Sequence, residues 1–160
     1  MTPVPEFVLE VRTMIGHHPL WLPGVTAVIT RETPDGREIL LVRRSDDGTW
    51  TPVTGVVDPE EEPAVCAARE ALEETGVVIS VDRLASVSVL PEVRYANGDR
   101  AAYLDLTFAC TWVSGEAHVA DEESTDVRWW PVTAMPAMSA HMSARVAAGL
   151  STEREARFLR

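Results

Sequence analysis

Glu70, Glu73 and Glu74 stand at spacings of three and four residues, in a stretch rich in helix-forming residues. On a helix, residues three and four apart are neighbours, with Cβ atoms about 5–6 Å from each other. Like charges at that spacing destabilise a helix on their own. A divalent cation between them reverses the sign of the interaction, and hard carboxylate oxygens suit Mg²⁺ or Mn²⁺. Arg69 sits one turn before Glu73 and is placed to pair with it. Val65, Ala68 and Leu72 are the apolar residues expected to pack this helix on a sheet. The bland reading of such a cluster is a solvated acidic face. Glu60, Glu61 and Glu62 read likewise as loop acids, favourable near a helix N-terminus.

The wider spacing changes that weighing. Gly55, Glu61, Arg69, Glu70, Ala71, Glu73, Glu74, Gly76 and Val77 fill every specified position of the pattern G-x5-E-x7-R-E-U-x-E-E-x-G-U, where U is apolar. Seven of these positions demand one residue type. At about 5–10% usage each, chance agreement is on the order of 10⁻⁸ per starting point. The segment resembles the signature of the Nudix hydrolases, and the surrounding strand pattern is similar to that family's fold over most of the chain.

The resemblance implies a loop–helix–loop metal site. Glu70 and Glu74 would be the main ligands, Glu73 a third, and Glu61 a supporting ligand from the loop. The backbone carbonyl of Thr54 would add an oxygen, Gly55 would let that backbone come close, and Gly76 would end the helix. Arg69 is implied to orient rather than ligate. One departure is the Pro52-Val53-Thr54-Gly55 entry, where relatives often have Pro-Gly-Gly. The implied reaction is Mg²⁺- or Mn²⁺-dependent hydrolysis of a phosphoanhydride bond, in a nucleoside diphosphate linked to another group such as ADP-ribose. Bound cations neutralise phosphate charge and lower the pKa of a water, and a carboxylate orients or deprotonates it. Relatives often place a further acid before a late strand. Glu123 is the choice here, with Glu122 behind it, against the alternative of a solvated loop run. The alternatives in function are a nucleoside triphosphate pyrophosphatase and a non-catalytic nucleotide-sensing module, the latter disfavoured because every box carboxylate is present.

Substrate cues conflict. Pro91 lies where ADP-ribose-cleaving relatives carry a proline, and Tyr95 where dinucleoside polyphosphate hydrolases carry a tyrosine. Arg43, Arg44, Arg94 and Tyr95 are candidate substrate contacts, with Arg100 beyond the same turn. Trp21, Trp50, Trp129 and Trp130 are candidate stacking surfaces, although a core position is the commoner use of each. His17, His18, His118 and His141 show no ligand spacing.

Composition narrows the field. The net charge of −11 argues against nucleic-acid binding, which needs a basic footprint. An acidic enzyme acting on phosphates therefore needs a local cation. All 14 basic residues are arginine, which excludes a lysine-bearing phosphate loop and Schiff-base chemistry. Cys66 and Cys110 cannot form a thiolate zinc site alone and read as buried thiols. No apolar run reaches membrane-spanning length, no secretory signal is read at the N-terminus, and a cytoplasmic location is expected.

The elements that must position the acids follow from local signals. The spacing predicts an N-terminal helix within residues 1–16, stopped by Gly16. Gly24–Thr30 and Glu38–Arg43 read as strands around a Pro34-Asp35-Gly36 turn, and Trp50–Val53 as a short third strand. An acidic loop is expected over Thr54–Glu62. A helix then runs from Pro63 to Gly76. Val77–Leu90 reads as strand interrupted at Asp82-Arg83, and Asn97-Gly98 as a hairpin turn leading into Ala101–Trp112. Val127–Trp130 is a last strand, and Val132–Leu150 is expected to be helical ahead of a charged tail. These elements predict one α/β domain over residues 1–160, an α/β/α sandwich around a mixed sheet. The N-terminal helix resembles an addition that supports a homodimer in ADP-ribose-cleaving relatives.

Overall fold

A computed structural model describes residues 4–159. In chain order its elements are α1 (Glu6–Ile15), β1 (Leu20–Thr33), β2 (Gly36–Arg44), β3 (Trp50–Thr51), β4 (Val53–Val56), α2 (Pro63–Thr75), β5 (Val78–Arg94), β6 (Arg100–Ser114), β7 (Ser124–Pro131) and α3 (Ala140–Leu150). Strand β1 lies in the middle of a mixed sheet. It pairs in parallel with β6 along Leu20–Thr30 and antiparallel with β4 and β2 on its other edge. Strand β5 extends the sheet beyond β6, and β7 extends it beyond β2.

The middle of β1 is apolar without alternation because both of its faces are covered. Val25, Ala27 and Ile29 face one core with Leu40, Val42, Val53 and the α2 residues Cys66, Ala67 and Ala71. Val28 faces the other core, with Ile39, Leu41 and Val146 of α3. The expected α/β/α layering is therefore present. A third, smaller cluster seats α1 on the sheet through Phe7 and Val8, against Leu22, Ala101 and Tyr103.

Strands β1 and β2 pair only where they meet, at Thr30–Thr33 and Gly36–Ile39. Beyond that they splay. Strand β4 occupies the freed edge of β1, and β3 pairs with Val42 and Arg43 of β2. Pro52 divides the predicted third strand into these two pieces, since it has no amide to donate. The expected loop from Thr54 begins later, because Val53–Val56 is strand. Val53 and Thr54, whose branched side chains suit a strand, pair with Ala27 and Thr26.

Other boundaries shift for local reasons. Strand β5 runs through Asp82-Arg83 without ending, and the expected interruption is a register shift between Val81 and Arg83. Only Ala140–Leu150 of the predicted Val132–Leu150 helix forms. Ser139 caps it by accepting a hydrogen bond from the Met142 amide, and Pro136 lies in the irregular stretch before it. The Asn97-Gly98 turn is present, and Gly98 donates to the Tyr95 carbonyl at 2.9 Å.

One polar network crosses the α3 side of the sheet. Asp105 is 2% exposed. It accepts hydrogen bonds from Thr26 Oγ1 at 2.7 Å, Thr107 Oγ1 at 2.7 Å and Arg145 Nη1 at 3.1 Å. The charge-assisted bonds satisfy a carboxylate that burial would otherwise make costly.

Helix α3 reaches the sheet through Gly149, where an added Cβ would run into Cβ and both γ-methyls of Val28. Alanine favours a helix over glycine by up to about 1 kcal/mol, whereas overpacking a closed core costs about 1–3 kcal/mol. Val28 is stiff at χ1 and completely buried, so the steric term should win. Gly149→Ala is expected to lower the denaturant midpoint of unfolding, and a raised midpoint would contradict this packing.

Candidate functional site

Helix α2 begins with Pro63 at its first turn and ends at Gly76, which is left-handed at φ 71° and donates to the Leu72 carbonyl. Its sheet-facing stripe is not the one expected from the apolar residues. Val65 and Leu72 are 59% and 51% exposed, whereas Cys66, Ala67, Ala71, Glu74 and Thr75 are buried. Residues 67, 70, 71 and 74 follow the i, i+3, i+4, i+7 rule of a single stripe. Small residues let the helix sit close to the sheet, and Glu70 and Glu74 share their face. Glu70 and Glu74, expected on the face opposite those apolar residues, therefore point partly into the protein.

Burial shows in their proton affinity. It pushes the Glu70 carboxyl up to about 7 from an ordinary 4.5, against the opposing pull of the Arg69 guanidinium. Glu74 is 4% exposed, and burial raises its carboxyl well above the usual range, helped by the negative charges of Glu123 and Glu70. Among the described residues no arginine forms an ion pair with Glu74. Desolvation and like charge thus act in the same direction on this group.

Arg69 gathers the rest of the box. Its Nε and Nη2 grip both oxygens of Glu61 at 2.8 and 2.9 Å. Its Nη1 donates to Glu70 at 3.0 Å and to Glu73 at 2.9 Å. The predicted Arg69–Glu73 pair is present, and Glu61 is held by the same arginine, which lowers its carboxyl pKa. Glu73 is mostly exposed. With these side chains so placed, no group of three His, Cys, Asp or Glu residues among those described has metal-holding geometry.

Gly55 brings the end of β4 against Glu70, as its place in the motif implied. An added Cβ there would overlap Cγ, Cδ and Oε1 of Glu70. At the other end of α2, the connection after β6 closes over the helix. The His118 amide donates to the Thr75 carbonyl and the Ala120 amide to the Glu74 carbonyl, both at 3.1 Å. These bonds satisfy carbonyls that a helix C-terminus leaves unpaired. The same connection delivers Glu123, close enough for its charge to act on Glu70 and Glu74. Glu122 is exposed.

The predicted substrate contacts divide. Arg44 pairs with Asp46 in the turn after β2, and its charge is felt by both Glu74 and Tyr103. Tyr95 and Tyr103 are joined through their hydroxyls. Arg43 donates to the Gly48 carbonyl. Arg94 is exposed on the hairpin, 3.9 Å from Glu92. Trp50 and Trp130 pack edge to face at 5.4 Å, Trp129 lies under Arg31, and Trp21 is exposed. Sequence reasoning missed Tyr103, whose link to the site depends on the distant pairing of β5 with β6. Cys66 and Cys110 are buried free thiols, as expected.

The raised carboxyl of Glu70 has a consequence for metal-free protein. Below its unfolded value of about 4.5 the group is protonated in both states, and its stabilising contribution is fully present. That contribution is lost as the pH rises through about 7. In chelator, thermal melts should show wild type losing stability relative to Glu70→Gln between about pH 5 and pH 8. A difference that stays constant over this range would contradict the assigned environment.

The family model described as NUDIX domain matches residues 21–149. A MutT-like protein from Streptomyces ambofaciens is 40% identical over 111 residues, covering 69% of this chain and 64% of that protein. An NAD-capped RNA hydrolase NudC from Stutzerimonas stutzeri is 30% identical over 131 residues, covering 81% of this chain and 43% of that one. The chain thus spans less than two thirds of the length of either relative. A UDP-X diphosphatase structure superposes with a TM-score of 0.61 at 20% identity, covering 91% of this chain and 70% of that chain, and shows the same fold. With the domain matched from β1 to α3 and each signature residue in place around α2, the chain belongs to the Nudix family of hydrolases.

Proposed function

We propose that this protein hydrolyses a phosphoanhydride bond in a nucleoside diphosphate linked to another group, of the ADP-ribose type, with Mg²⁺ or Mn²⁺ bound at the acid cluster. The observation that carries this reading is the burial of Glu74 and the partial burial of Glu70 on one stripe of α2, beside Gly55 and within the field of Glu123. Carboxylates so placed are costly unless a cation compensates them, and Arg69 does so for Glu70 alone of the two. Their oxygens are the hard donors that Mg²⁺ and Mn²⁺ prefer. Glu70 and Glu74 would hold the ion, with Glu73, Glu61 and the Thr54 carbonyl as further oxygens. When bound, it neutralises phosphate charge and acidifies water.

The remaining work falls to the chain. Arg69 holds Glu61, Glu70 and Glu73 in one array and so limits how far they spread when unfilled. Glu123 accepts a proton from the attacking water or orients it. Arg44 stands near Glu74 to meet a phosphate oxygen, provided that Asp46 yields it. Tyr95 and Tyr103 offer flat surface beyond Arg44 for a base or sugar. A second copy of the chain, seated through α1, belongs to this proposal. Leu9 and Met14 of that helix are 53% and 71% exposed.

A panel of ADP-ribose, UDP-sugars, dinucleotides and dNTPs, turned over with Mg²⁺ in ¹⁸O-labelled water, tests the reading. Two nucleoside or sugar monophosphates, one carrying the label, are expected from a diphosphate-linked substrate. Pyrophosphate released from dNTPs alone would replace this reading with the triphosphate one. Tight nucleotide binding without turnover of any compound would favour a sensing module. Glu70→Gln and Glu74→Gln should each lower kcat by about 100-fold or more, in the range expected for lost metal or acid–base catalysis. Glu92, which lies outside the signature segment and pairs with Arg100, serves as the control, and Glu92→Gln should change kcat less than about twofold.

A further inference from the structure

A cleft opens beside Gly76, at the end of α2 away from Pro63. Its walls come from several elements. They are Arg31 of β1, Trp112 of β6, Glu116 and His118 of the following connection, and Trp129 of β7, around a volume of 660 Å³. That size lies within the usual range for small-molecule sites.

Each flat group in the wall is held in place. The Arg31 guanidinium lies 4.1 Å from the centre of the Trp129 ring and is fixed by Glu38, with Nε at 2.8 Å and Nη2 at 2.7 Å from Oε2. Trp112 Nε1 donates to the Gly115 carbonyl at 3.0 Å. His118 Nδ1 lies 2.8 Å from the Glu116 carbonyl, and its ring covers Gly76 so closely that an added Cβ would overlap it. Side chains immobilised in advance lose little rotamer entropy when a ligand arrives.

The charge balance indicates what kind of ligand fits. Arg31 is already matched by Glu38, and Glu116 adds a negative charge to the rim. An anion therefore gains little here. What remains is the part of the Trp112 and Trp129 rings that the main core and Arg31 leave uncovered, with guanidinium and imidazole surface, and these attract another flat ring. We propose that this cleft binds a planar, uncharged heteroaromatic group of the nucleobase type, at a site separate from the acid cluster. The proposal does not depend on the hydrolytic reading.

Nucleosides test it without phosphate and without metal. Adenosine, guanosine and uridine are titrated into the full chain in chelator, followed by calorimetry and by tryptophan fluorescence. Ribose 5-phosphate serves as the probe for anion-driven binding. At least one nucleoside is expected to bind saturably and to change the fluorescence, while ribose 5-phosphate does neither. His118→Ala and Arg31→Gln alter partly or wholly exposed side chains, and each should weaken nucleoside binding tenfold or more. Glu74→Gln should leave it unchanged. Absence of saturable binding by all three nucleosides would overturn the proposal. So would binding that Glu74→Gln abolishes while both wall variants retain it, because the nucleoside would then sit at the acid cluster.

Discussion

The placement of one buried and one half-buried carboxylate, Glu74 and Glu70, on the inner stripe of α2 governs the rest of this structure. A helix could satisfy its sheet with apolar residues alone, and α2 carries Val65 and Leu72 that could have served. They face outward instead. Cys66, Ala67 and Ala71 supply the contact and are small enough to leave room for Glu70 and Glu74 beside them. The helix thus gives up apolar burial worth about 1.5–3 kcal/mol for each large side chain left outside. It also carries acids that favour the protonated state. Such a local conflict, within a fold that is otherwise consistent, is characteristic of a functional site.

The surrounding parts follow from holding those acids. The splay of β1 and β2 makes room for β4, and β4 brings Gly55 under Glu70. Arg69 keeps three of the carboxylates from flying apart. The connection after β6 is stitched to the Glu74 and Thr75 carbonyls and so brings Glu123 to the same place. The closeness of that stitching explains two glycines. A Cβ at Gly115 would strike the Gly76 carbonyl, and one at Gly76 would strike His118.

Much of this was legible in the residue order. Pro63 and Gly76 mark the two ends of α2, and the Pro34-Asp35-Gly36 and Asn97-Gly98 turns mark two hairpins. These are local signals, set by backbone conformations that few residues adopt. What escaped depends on distant partners. The buried face of α2 was misjudged because apolarity predicts burial, and here small residues and Glu74 are buried while Val65 and Leu72 are exposed. The Asp105–Arg145 contact joins residues 40 apart in the chain, and no local pattern announces it. The division of β3 from β4 depends on which strand each piece finds, which Pro52 alone does not reveal.

The most direct test of the account is thermal stability with and without Mg²⁺, compared between wild type and Glu74→Gln. In chelator near neutral pH the neutral amide should melt at a higher temperature than wild type, because it removes a buried carboxyl that must either take up a proton on folding or stay charged without an arginine partner. Mg²⁺ should then raise the melting temperature of wild type and leave the variant almost unmoved. A wild type indifferent to Mg²⁺ and more stable than Glu74→Gln in chelator would show that the carboxylate is satisfied by the protein alone, and the account would be wrong.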